Sequence, residues 1–351
     1  MARELWLLND GRIFGGGQLT TLRLATFVHS TLSDQRAQVL CPGPSELAER
    51  CRQAGIPVVD ARFPDLGLLE VGRIARAVRG LRRLFAEADS DVVVVGTSLR
   101  AQVYAHAAAV RLPRPPSIVH LMVEQDSARH ASARFLLRRF GSVVVIEENA
   151  ATAYRERLPG VRVISVNNIL LPEEFDRAAR ARIRRRLDTP ALGVLARLIP
   201  EKGVLELIHD LAEMPRAWSQ LLIAGPWQDP AYAERIEARI AALGLVPRVR
   251  LLGPVTDLAA FFAGIDVLIV PSVGNEGQPA VIIEALAHGR PVIVRAPLLS
   301  DAFAGFPVLP FRNSADLGRA LSDLPRGVPD PQELALRFGP MQLVEAIDAA
   351  A

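Results

Sequence analysis

The chain has 351 residues, half of them apolar, with 41 basic side chains against 38 acidic ones and a formal net charge of +3. That length suits two domains with sizeable cores. The near balance of charge gives no argument for a nucleic-acid partner, and no apolar run approaches the ~18–20 residues that a membrane span needs. Cys41 and Cys51 have neither CxxC nor metal-ligand spacing, so two buried thiols in a cytoplasmic protein are expected. The opening Met-Ala-Arg-Glu leads straight into a strand without a signal-peptide pattern. A cytoplasmic location follows as an expectation, with peripheral association at the inner membrane face left open.

Short, continuous, β-branched runs alternate with helical patterns along the chain. Runs at 5–8, 37–40, 58–59, 92–95, 117–121, 143–146 and 162–166 read as strands of a first parallel sheet. Runs at 193–196, 221–224, 248–252, 267–270, 292–294 and 308–309 read as strands of a second. The helical stretches between them complete βαβ units, so the expected class is α/β with two doubly wound, Rossmann-like domains. Polar residues and a proline at 167–172 mark the joint. The expected domains are residues 1–168 and 169–330, followed by strandless helices at 331–351 that are free to pack back toward the first domain.

Ligands of doubly wound sheets lie beyond the carboxyl ends of strands, so residues that follow strands are the candidates. After the first strand, Leu8-Asn-Asp-Gly-Arg-Ile-Phe-Gly15-Gly16-Gly17-Gln18 runs into a helix. Its glycines let backbone approach a ligand, or serve a plain loop. As a dinucleotide fingerprint it is poor, because Gly15-x-Gly17-x-x-Thr20 lacks the third glycine and no acid ends the second strand. Asp89-Ser-Asp91 precedes a strand rather than ending one, and reads as a turn. His120 closes the strand at 117–121, where packing and a polar role are both open and Glu124 competes for the polar role. Arginine-rich stretches at 73–83, 128–140 and 180–186 could be solvated faces or membrane surfaces. The best of them for peripheral membrane contact is 128–140, with Arg134, Arg138 and Arg139 beside Phe135, Leu137 and Phe140.

Lys202 is the only lysine; the other 40 basic residues of the 41 are arginine. It lies in Arg197-Leu-Ile-Pro-Glu-Lys202-Gly203, where a strand end meets a helix start. That place suits a compact ammonium aimed at a phosphate, although chance survival on a solvated helix end would look the same. After the run at 267–270 comes Pro271-Ser-Val-Gly-Asn-Glu276-Gly277-Gln278-Pro279, then a helix ending at Gly289-Arg-Pro291. Gly277 permits a tight turn, Pro279 is expected at the first helical position, and Gly289 closes the helix. The free amides of that helix start make an anion site. Glu284 stands among Val-Ile-Ile and Ala-Leu-Ala. Buried, its carboxylate needs donors such as a ribose diol; otherwise it faces solvent.

Five motifs in order carry a family likeness. They are Arg197…Lys202-Gly203, Ile223-Ala-Gly225, Leu252-Gly253-Pro-Val255, Asp266-Val-Leu-Ile-Val-Pro-Ser272, and Glu276-x7-Glu284 with Ala285-Leu-Ala-His-Gly289-Arg-Pro291-Val292. The set resembles the family-4 retaining glycosyltransferases of the GT-B fold, closely in the second domain and loosely in the first. The resemblance implies two Rossmann-like domains with their sheets facing across a cleft. It implies a nucleoside-diphosphate sugar donor and an acceptor hydroxyl on a carbohydrate, a lipid-linked carrier or a small molecule. Arg197 and Lys202 would hold the diphosphate, Glu276, Gly277 and Gln278 would lie by the sugar, and Glu284 would bind the ribose. Backbone at Gly253 and Val255 would lie against the base, Gly16 and Gly17 would face donor and acceptor, and His120 would lie near the sugar. No metal and no cofactor are implied, since two cations and a helix N-terminus take up the leaving group's charge. Two departures stand out: Glu276-Gly277-Gln278-Pro279 where the family often reads Glu-Gly-Phe-Gly, which removes one N–H donor, and Glu147-Glu148 where a serine is usual. A GT-B-like phosphorylase or epimerase, and a catalytically silent nucleotide-sugar-binding subunit, are the rival expectations.

Overall fold

The computed structural model describes residues 3–11, 14–88, 91–122, 138, 142–180, 189–274, 276–325 and 327–351. They form two compact units, Met1–Leu171 with Pro340–Ala351, and Pro172–Gly339. Unit 1 holds β1 (Arg3–Leu8), β2 (Gln35–Cys41), β3 (Val58–Asp60), β4 (Val92–Gly96), β5 (Ser117–Met122), β6 (Ser142–Ile146) and β7 (Arg162–Val166). They lie in the order β3-β2-β1-β4-β5-β6-β7, and every pairing is parallel. Unit 2 holds β8 (Ala191–Leu195), β9 (Gln220–Ala224), β10 (Val249–Gly253), β11 (Val267–Val270), β12 (Val292–Arg295) and β13 (Val308–Phe311). Their order is β10-β9-β8-β11-β12-β13, again all parallel.

The β-branched runs are buried on both faces, which is why they do not alternate. In β4, Val93 and Val95 share a core with Leu24 and Val28 of the helix Gly16–Thr31. Val92 and Val94 share another with Leu81, Phe85 and Tyr104 from the helices Val71–Glu87 and Leu99–Ala109. Each such side chain contributes about 2 kcal/mol by leaving water. In both sheets the winding direction reverses once, between β1 and β4 and between β8 and β11. Those are the positions where a doubly wound sheet opens toward a ligand.

The closing helices divide. Pro331–Phe338 belongs to unit 2, whereas Met341–Ala350 belongs to unit 1. Leu343, Val344, Ala346 and Ile347 of the latter enter the core that holds Val144, Ile146 and Val166. Arg3 pairs with Asp348 at 2.5 Å, Ser142 Oγ donates to the Ala350 carbonyl at 2.8 Å, and Arg162 donates to that of Ala349 at 2.7 Å. Among the described residues no helix is long and apolar enough to cross a membrane.

Candidate functional site

At the β8–β11 reversal of unit 2, the loops leaving the two strands are bonded together. The 3₁₀ turn Pro200–Lys202 follows β8, and the Glu201 carbonyl accepts from the Val273 and Gly274 amides at 2.9 and 3.0 Å. Gly203 has φ +66°, and a Cβ there would lie 2.2 Å from the Pro271 carbonyl oxygen. Only glycine lets the loops come this close. Their junction sets Lys202 against Glu276 as an ion pair, with 17% and 18% of the two side chains exposed. Arg197, two residues beyond β8, donates to Gln228 Oε1 at 3.1 Å. Gln228 comes from the loop after β9, so three strand ends contribute to one polar surface.

The helix Ala280–Ala287 follows, and Glu284 within it is buried, which removes the solvent-facing alternative. The Glu284 carbonyl accepts from the His288 amide at 3.1 Å and lies 2.8 Å from His288 Nδ1. The His288 ring stacks on Phe262 with centroids 4.5 Å apart, which fixes the helix end before Gly289. Pro279 corrects one expectation: it is the N-cap, with φ −62° and ψ 119°, and Ala280 is the first helical residue. A proline's missing N–H costs nothing there, because the cap residue has no intrahelical partner to donate to. Gln278 is buried and Gly277 partly so. Gly253 accepts from the Gly225 amide at 2.8 Å, and Val255 just beyond it is half-buried.

In unit 1 the β1–β4 reversal carries a saturated polar network. Buried Asn9 donates to Thr21 Oγ1 at 3.1 Å and Thr97 Oγ1 at 3.0 Å, and accepts from the Gly11 amide at 3.0 Å and Gln18 Nε2 at 3.3 Å. Gly15 caps the helix Gly16–Thr31, so Gly16 and Gly17 form its first turn. Beyond this network Arg100 bridges Asp10 at 3.4 Å and Asp65 at 2.9 Å.

His120 is fully buried, its ring stacked on that of His106 with centroids 5.1 Å apart. The two Nε2 atoms are 3.0 Å apart, so one ring donates and the other accepts. Burial, with the His106 charge adding to it, pulls His120 down to about 3, and burial pulls His106 down to about 4. Both are neutral imidazoles. Glu147 has φ 86°, a conformation that strains a non-glycine residue. Its carboxylate accepts from the Asn149 and Ala150 amides, both at 2.9 Å, and caps the next helix.

Gln228, His106, Arg100 and Asp65 are not legible in the sequence as partners, since each meets its counterpart from a different element. Glu124, Asp89 and the 128–140 segment apart from Arg138 lie outside the described residues, as does 181–186. Cys41 and Cys51 are free and buried, and burial raises the Cys51 thiol to about 12. Among the described residues, no group of three or more His, Cys, Asp or Glu could hold a metal ion.

The match to glycosyl transferases group 1 runs over residues 189–324 and takes in the residues just described around Lys202, Arg197, Gly253 and Glu284. Over 148 residues the chain is 33% identical to the phosphatidyl-myo-inositol mannosyltransferase of Mycobacterium leprae, which covers 40% of this chain and 36% of that protein. Over 294 residues it is 27% identical to the GDP-mannose-dependent alpha-(1-6)-phosphatidylinositol monomannoside mannosyltransferase of Mycolicibacterium smegmatis, covering 77% and 75%. A similarity to the lipopolysaccharide core biosynthesis glycosyltransferase LpsE of Rhizobium meliloti, at 31%, covers 32% of each chain. The match thus spans about a third of the length of the M. leprae and R. meliloti relatives. The crystal structure of Anabaena Alr3699/HepE in complex with UDP and glucose superposes with a TM-score of 0.74 and 20% identity, over 99% of both chains. The chain has the GT-B fold.

Proposed function

We propose that the protein is a retaining glycosyltransferase that moves a sugar from a nucleoside-diphosphate sugar to an acceptor hydroxyl without a metal. The observation that carries this reading is the Lys202–Glu276 pair, held at the β8–β11 reversal by loops that only glycine at 203 allows to meet. An entering diphosphate competes with Glu276 for the ammonium and is met by Arg197 from the same strand end. As the anomeric C–O bond breaks, negative charge grows on the departing phosphate, and those two cations take it up. The displaced Glu276 carboxylate is then free to accept from a sugar hydroxyl, and the buried Glu284 from the ribose. The acceptor oxygen attacks from the face the diphosphate leaves, and its proton passes to the departing phosphate oxygen, so configuration is kept without a protein nucleophile. The acceptor is a hydroxyl on a carbohydrate, a lipid-linked carrier or a small molecule; the names of the relatives, two of them phosphatidylinositol mannosyltransferases, support this range.

The test is a thermal-shift series with UDP, GDP, ADP and TDP. One of them at ~100 times its dissociation constant adds about 2.7 kcal/mol of stability, and Lys202→Ala abolishes the shift. No shift with any of the four, or an equal shift in the variant, refutes the assignment. Proton NMR of the product formed from the binding nucleotide's sugar then reads the anomeric configuration.

A further inference from the structure

The loop between β3 and the helix Val71–Glu87 leaves large apolar side chains in solvent. Leu66, Leu69 and Val71 are 56%, 101% and 59% exposed. Single exposed leucines are ordinary, but a run of three within six residues is not. The helix that follows buries Leu81 and Phe85, with Ile74 and Val78 partly buried on the same stripe. Its opposite side presents Arg73, Arg76, Arg79 and Arg83, all exposed, at the spacing of three and four that keeps them on one face. Arg73 is paired with Glu70 at 3.1 Å, and Arg82 donates to the Val110 and Arg111 carbonyls. Arg76, Arg79 and Arg83 have no ion-pair or hydrogen-bond partner among the described residues.

We propose that this surface docks on an anionic lipid bilayer, with Leu66 and Leu69 entering the interface and the arginine stripe meeting the head groups. Charge complementarity selects an anionic partner. The solvent-exposed leucines select a bilayer, because a polar nucleic acid would leave them wet. Neither signal alone anchors a protein firmly, but an apolar insertion and a basic patch together do. The surface is distinct from 128–140. Asp65, in the same loop, holds Arg100, which reaches Asp10 at the β1–β4 reversal. Docking therefore brings the bilayer beside the β1–β4 reversal of the unit 1 sheet. The inference goes beyond the transferase reading and stands or falls without it.

The experiment is co-sedimentation of the full chain with phosphatidylcholine vesicles carrying about one-third phosphatidylglycerol, and with pure phosphatidylcholine. The wild type pellets with the anionic vesicles only, and raised salt weakens the partition. Reversing three charges in Arg76→Glu/Arg79→Glu/Arg83→Glu lowers it by about 100-fold or more, at about fivefold per charge. Leu66→Ser/Leu69→Ser lowers it as well, and this second variant keeps the test valid if the first fails to fold. Equal partition to both vesicle types, or partition unchanged in a folded variant, overturns the proposal. So does an absence of vesicle binding with tight binding to a single-stranded RNA that survives the leucine change, which assigns the arginines to nucleic acid.

Discussion

Two glycines with the same φ separate the causes at work around Lys202. Gly203 and Gly244 both have φ +66°, but a Cβ at Gly203 meets the Pro271 carbonyl at 2.2 Å, whereas at Gly244 nothing lies within 4 Å. Gly244→Ala therefore carries backbone strain alone, about 1–2 kcal/mol. Gly203→Ala adds a collision with backbone, parts the two loops and removes the Lys202–Glu276 pair. Urea unfolding of both variants, with nucleotide titration alongside, checks this: only Gly203→Ala loses nucleotide affinity. A second prediction turns on the resident counter-ion. Glu276→Gln frees the ammonium, so nucleoside diphosphate binds more tightly by severalfold while turnover falls by about 100-fold or more. A fall in both Kd and kcat is the signature, measured by calorimetry and by sugar release. Lys202 is legible in the sequence because no other lysine dilutes it. Its carboxylate partner is 74 positions away, and only the folded loops reveal that the two meet.

At the scale of elements, the thirteen runs are legible as strands because residues such as Val92–Val95 are apolar on both faces, a property local sequence states outright. Helix ends are less legible: a Pro-Ala step places the first helical residue within one position, and the φ/ψ of Pro279 decides it. Cross-element partners are not legible at all. His106 and His120 come from a helix and a strand 14 positions apart, and nothing in either segment announces a pair. That pair makes stability depend on pH. An unfolded chain protonates His120 near 6.5, while burial holds the folded ring down to about 3. Between those values the unfolded state binds more protons, so stability present above 6.5 is lost as pH falls toward 3. By about pH 5 the loss for His120 is about 2 kcal/mol. His106→Phe/His120→Phe, which keeps two stacked rings, flattens the fall in melting temperature between about pH 7 and about pH 5. An equal slope in wild type and variant would place the titrating groups elsewhere.

The whole molecule has two units whose cores draw on different stretches of sequence. Unit 1 closes with Met341–Ala350, whose Leu343, Val344 and Ile347 are buried in the core with Val144, Ile146 and Val166. Removing residues 340–351 withdraws about 2 kcal/mol for each large apolar side chain, together with the Arg3–Asp348 pair and the bonds from Ser142 and Arg162. The candidates for the diphosphate, the ribose and the base, by contrast, all lie in unit 2. Scanning calorimetry thus has two independent handles. A bound nucleoside diphosphate raises the transition of unit 2 and leaves that of unit 1 in place, because ligand linkage acts only on the part that binds. Deleting 340–351 lowers the transition of unit 1 by several degrees or abolishes it, while the truncated chain still shifts with nucleotide. If the deletion instead removes the nucleotide response and spares the other transition, the last helix supports the donor domain, and the division of the chain between the two units drawn above is wrong.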